Sequence, residues 1–175
     1  FGKIGVRENV LCKENKLYPH QLIAVMDRFR HIQKLEHIRG LEDDIAVLTD
    51  PAILNKDERI AALHASHVAF EHQIEEELAF LLERNKPTFL PPKDRQRILD
   101  IAAKTYLNES GDSIPYLTEE EKNNFLIPKG SLNAEERVEV ESNVSKSYEL
   151  LKKIPWTREY DGMLEAIYYH HEREN

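Results

Sequence analysis

Residues 19–48, PHQLIAVMDRFRHIQKLEHIRGLEDDIAVL, decide the fold. Pro19 suits the first turn of a helix, where its missing N–H costs nothing. Apolar side chains then recur at Leu22, Val25, Phe29, Ile32, Leu35, Ile38, Leu41, Ile45 and Leu48, always three or four residues apart. That is the helix period. Gly40 costs about 1 kcal/mol inside a helix and leaves room for a kink there. Thr49-Asp50-Pro51 ends the element.

A second helix follows on the stripe Ile60, Leu63, His67, Phe70, Ile74, Leu78 and Leu81, stopping near Asn85-Lys86-Pro87. Two long amphipathic helices joined by a short Pro-containing turn predict an antiparallel hairpin. Residues Pro92–Leu107 read as a third helix. Gly111, Pro115, Pro128 and Gly130 then break a loop-rich region that holds the acidic run Thr118–Lys122. Asn133 is a fitting N-cap for a fourth helix, with Glu135, Glu136 and Glu139 near the positive end of its dipole. That helix is expected to reach about Lys153, where Ile154-Pro155 stops it. A fifth begins near Arg158 and carries Leu164, Ile167, His170 and His171. Ahead of Pro19, Gly2 and Gly5 make a loop, and Asn9-Val10-Leu11 can begin one helical turn. There is no internal repeat and little strand pattern, so the expected fold class is all-α.

The chain has 175 residues, a length for one domain, or one domain with an appendage. Hydrophobic residues make up 41% of it, enough for a real core. Lys and Arg number 24 against 32 Asp and Glu, a formal charge of −8. That balance argues against sequence-independent nucleic-acid binding, which needs clustered cations. No apolar run approaches the roughly 18–20 residues that span a bilayer, so no membrane partner is expected. The single cysteine, Cys12, excludes an internal disulfide framework and a multi-Cys zinc site, and fits a reducing, cytoplasmic setting. The chain starts at Phe1 without Met and stops at Asn175 after a polar cluster, ends that suggest a piece of something longer.

Three features could carry chemistry. In Tyr168-Tyr169-His170-His171-Glu172-Arg173 the adjacent histidines point about 100° apart on a helix. They suit two metals side by side, or one metal and one phosphate; the plainer reading is a solvated helix end. Lys3, between Gly2 and Gly5, could hold a phosphate as a point charge, though no full P-loop surrounds it and a surface lysine in a turn is the plainer reading. His64, His67, Glu71, His72 and Glu75 share the second hairpin helix but lack the Glu-x-x-His spacing of helical di-iron sites. A structural or surface role is expected for them. Cys12 has no base beside it in sequence, which argues against a thiol nucleophile.

Read together, three segments resemble the HD-GYP family of the HD metal-dependent phosphohydrolases. Phe1-Gly2-Lys3-Ile4-Gly5-Val6 is similar to the run that follows that family's His-Asp dyad. Lys129–Trp156 resembles its helix that carries a metal-binding His and ends in Ile-Pro. Ala166–Asn175, AIYYHHEREN, resembles its His-His-Glu-Arg segment. The resemblance implies an HD-type helical bundle over 1–18 and 111–175. Residues 19–110, the long hairpin plus the third helix, would be a helical insertion.

It further implies hydrolysis of cyclic di-GMP, a bacterial second messenger, at two or three divalent ions, iron or manganese. His170 and His171 would be metal ligands, and Lys3 and Arg173 would contact substrate. Such metals polarise a phosphoryl oxygen, and a nearby Lys offsets developing charge. The family's catalytic His-Asp dyad is absent from the chain and would precede Phe1; its Gly-Tyr-Pro run would follow Asn175. Asn143 falls at the mid-domain metal His, and an amide is a poor ligand there. The resemblance therefore supports two expectations: a phosphodiesterase, or a degenerate regulatory module that dimerises through the hairpin.

Overall fold

The computed structural model describes residues 6–151 and 153, with side chains described for 6–142 and 153. The fifth helix expected near Arg158 lies outside them. The described residues are mostly helical: α1 (Glu8–Leu11), α2 (Pro19–Thr49), α3 (Lys56–Arg84), α4 (Pro92–Ala102), α5 (Glu119–Phe125) and α6 (Ala134–Leu151), with strands β1 (Thr105–Leu107) and β2 (Ser113–Pro115) between α4 and α5. None of these helices is long and apolar enough to cross a membrane. The chain divides into two compact units. One is Asn15–Ser131; the other takes 6–14 together with 132–151 and 153. The inserted segment expected at 19–110 thus lies inside a unit that begins earlier and ends later.

In the larger unit, α2 and α3 run antiparallel, and their N-terminal and C-terminal halves respectively close over one core. Val25, Phe29 and Ile32 of α2 meet Ile74 and Leu81 of α3, Ile98 and Ile101 of α4, and Tyr116, Leu117 and Phe125. Burying each such side chain contributes about 1.5–3 kcal/mol, which is why this end of the pair is the anchored one. Phe29 meets Tyr116 edge to face, with ring centroids 5.6 Å apart.

Beyond Ile32 the α2/α3 contact changes character. Glu36 Oε1 lies 2.7 Å from His67 Nδ1, and Asp44 Oδ2 lies 2.7 Å from His64 Nε2. Arg39 donates to the second Glu36 oxygen at 3.0 Å. Gly40 does not kink α2, which is continuous to Thr49. Its role is close approach: a Cβ there would stand 3.2 Å from His67 Cδ2. The apolar stripe has meanwhile turned away. A step of three residues falls about 60° short of a full helical turn. The three successive steps Phe29–Ile32–Leu35–Ile38 therefore carry the stripe about half way round the helix.

The third helix is shorter than its expected extent of Pro92–Leu107. It ends at Ala102, and Thr105, Tyr106 and Leu107 pair instead with Pro115, Ile114 and Ser113 of β2. A β-branched and an aromatic residue favour the strand, and the turn is held by Asn108, whose Oδ1 accepts from Ser110 and Asp112 N–H. Gly111 supplies the positive φ of 85° that this turn requires. The acidic run, expected in a loop, is α5. Thr118 Oγ1 accepts from Glu121 N–H and the Glu121 carboxylate accepts from Thr118 N–H, a reciprocal capping box.

Lys16 is almost fully buried, and its ammonium donates to the Phe125 carbonyl at the end of α5, 3.1 Å away. Burial, with Arg84 second, holds its pKa down to about 8 from the ordinary 10.5. Between these values the unfolded chain binds the proton and the folded one does not, so stability rises with pH across that window. Above about 10 Tyr116 opposes this, because burial and then Glu77 push its pKa up to about 12. Lys16→Met is expected to flatten the rise between about pH 8 and 10 and to raise the urea midpoint at pH 7. An unchanged pH slope in urea unfolding would count against the assignment.

Candidate functional site

Of the segments that carry the family resemblance, the described residues are Val6, 129–151 and 153; all but Lys129–Ser131 belong to the second unit. Its framework starts at the entry to α6. Asn133 Oδ1 accepts from Glu136 N–H at 2.9 Å, and Glu136 Oε2 accepts from Asn133 N–H at 2.9 Å. This is the expected N-cap in its reciprocal form. The same Glu136 carboxylate receives the Lys13 ammonium at 2.9 and 2.8 Å, with both side chains almost entirely buried. One turn on, Glu139 accepts from Arg7 N–H at 2.7 Å and from its guanidinium, with Nε to Oε2 at 3.0 Å. Val10 of α1, between Arg7 and Lys13 in the chain, is buried.

The electrostatics serve registration more than net stability. Desolvating two charges offsets most of their attraction, but a buried pair accepts no slip of one turn. Lys13–Glu136 and Arg7–Glu139 together specify which turns of α6 face residues 7–13. In the sequence these glutamates read as dipole partners only. Their cations lie 123 and 132 residues away, where no local pattern points to them.

Of the candidate residues, Asn143 lies in α6, seven positions and about two turns beyond Glu136, with its side chain outside the described set. Lys3, His170, His171 and Arg173 lie outside the described residues. Among the described residues no group of three or more His, Cys, Asp or Glu could hold a metal ion. His64 and His67 pair with α2 carboxylates, and His72 stands exposed 3.8 Å from Glu75. His67 Nε2 also lies 3.4 Å from Asp43 Oδ2, without hydrogen-bond geometry. Cys12 is exposed and free.

The metal donors that the resemblance implies are His170 and His171, and neutral imidazole suits borderline divalent ions. At Asn143, the mid-domain metal position that the resemblance implies, an amide neither ionises nor offers a ring nitrogen. Comparison with protein-family models, with curated proteins and with solved structures finds no match for this chain.

Proposed function

We propose that this chain belongs to a bacterial, cytoplasmic phosphohydrolase of HD-GYP type acting on cyclic di-GMP, with a helical insertion between two parts of an HD-type bundle. One observation carries the reading. Residues 6–14 and 132–151, next to the motif-bearing ends, share one unit although the self-contained 15–131 unit separates them in sequence. An insertion within a pre-existing fold has that signature, since the interrupted segments must still pack together.

In this reading His170 and His171 hold metal, and Lys3 and Arg173 bind the substrate phosphates. A bound divalent ion would supply Lewis acidity toward a phosphoryl oxygen. Lys3 would neutralise charge on the phosphate locally, which matters in a chain with a formal charge of −8. A second reading rests on Asn143. With an amide at a metal position the domain could instead be a regulatory module that binds without hydrolysing.

The test is the metal content of the whole gene product, purified anaerobically, with its turnover of cyclic di-GMP. Two or more iron or manganese ions per chain and a linear dinucleotide product are expected. A preparation that is metal-free and stays inert after metal is added would overturn the enzymatic reading. Asn143→His is expected to raise the bound metal, and no gain would show that this register of α6 is wrong.

A further inference from the structure

The distal half of the α2/α3 pair is inside out. Its inner contact is largely polar, through Glu36–His67 and Asp44–His64, with Gly40 against the imidazole and Val47 as the buried apolar residue of this stretch of α2. Its outer face on α2 carries Ile38, Leu41, Ile45 and Leu48, with 49%, 51%, 61% and 56% of their surfaces exposed. A helix within a globular unit normally shows the reverse arrangement. The four apolar positions are spaced 3, 4 and 3, which fixes Ile38 and Ile45 as a positions and Leu41 and Leu48 as d positions of two heptads.

We propose that this face is a homodimer interface, a short parallel coiled coil of α2 with α2 of a second copy. Two properties of the face choose that occupant. Among parallel assemblies, Ile at a with Leu at d is the combination that favours two strands over three or four. The flanking positions agree. In a parallel pair His37, at g, stands opposite Glu42, at e of the partner copy, so an imidazole N–H meets a carboxylate. An antiparallel pair matching Ile38 with Leu48 would instead bring Glu42, at e, beside Glu42 of the partner copy, two carboxylates, which is destabilising. Lys34, at the preceding d position, and the helix end at Thr49 limit the seam to these two heptads. The inference is independent of any phosphohydrolase activity.

A seam this short predicts a weak dimer, populated at about 100 μM chain and dissociated near 1 μM. Sedimentation of the chain across that range should show the mass doubling. Leu41→Asp with Ile45→Asp should hold it monomeric at every concentration. Because both residues are exposed, helicity and thermal midpoint should stay within a few degrees of the parent. Orientation is read by mild oxidation in a Cys12→Ser background: Leu48→Cys should give a covalent dimer. A monomer at 100 μM would overturn the proposal, as would a dimer that the double variant leaves intact. Covalent dimers from a mixture of Ile38→Cys and Leu48→Cys chains that are only heterodimers would overturn the parallel register. A concentration-independent monomer whose Ile38–Leu48 amides resist exchange would assign the face to another part of the same chain and also overturn it.

Discussion

Phe29→Ala is expected to lower the stability of the 15–131 unit by about 3–5 kcal/mol, the range for removing a fully buried aromatic ring. The ring is 0% exposed and packs edge to face on Tyr116, so its loss leaves a void bounded by α3, α4 and the β2–α5 segment. None of these elements can close the gap without disturbing another. The informative comparison is Ile38→Ala, nine residues further along the same stripe. Measured at a concentration where the chain is monomeric, it should change stability by less than about 1 kcal/mol, since its side chain is half exposed. Urea unfolding followed by circular dichroism gives both numbers. Equal losses would mean that the stripe does not rotate off the core after Ile32.

That contrast also shows how far the sequence could be read. The existence of α2, α3, α4 and α6 follows from periodicity and caps, and their starts at Pro19, Pro92 and Asn133 are legible because Pro and Asn act locally. The rotation of the α2 stripe was legible too, in three consecutive steps of three residues, but reading every apolar position as one core-facing row hides it. Thr118-x-x-Glu121 announces α5 in the same way, against surrounding prolines and glycines that signal a loop. The β1–β2 pair was harder. Thr105-Tyr106-Leu107 continues a helical pattern, and only pairing with residues 113–115 makes it a strand. What no local pattern could reveal are the long-range charge pairs. Glu136 chooses Lys13, and Glu36 chooses His67, because folding brings them together. The candidate site shares this limit. Its motif residues are recognisable by type, whereas the frame at 7–13 and 133–139 is a product of packing.

The second large effect belongs to such a pair. Glu121→Ala is expected to cost about 3–5 kcal/mol, far more than a surface ion pair. The carboxylate does two things at once. Its Oε2 accepts from Thr118 N–H at 2.8 Å, closing the capping box of α5, and also from Arg28 Nη1 at 2.7 Å. Arg28 Nη2 reaches the other oxygen at 3.2 Å. The side chains of Arg28 and Glu121 are only 15% and 6% exposed. Removing the carboxylate opens a cap worth about 1 kcal/mol and leaves a largely buried guanidinium with the Tyr116 carbonyl, 2.9 Å away, in place of a counter-charge. The penalty is thus mainly that of a stranded charge, and a second substitution can expose it. Arg28→Met in the Glu121→Ala background should recover part of the loss, because an apolar chain of similar length needs no counter-charge. Arg28→Met alone should be costly as well, stranding the carboxylate. In a double-mutant cycle the coupling should therefore exceed about 1 kcal/mol in the favourable direction. Strict additivity would mean that solvent already screens the pair, and that α5 is held to α2 by the buried Phe125 side chain and by Gln21, which donates to Glu120 Oε1 at 2.7 Å and accepts from Asn124 Nδ2 at 3.4 Å.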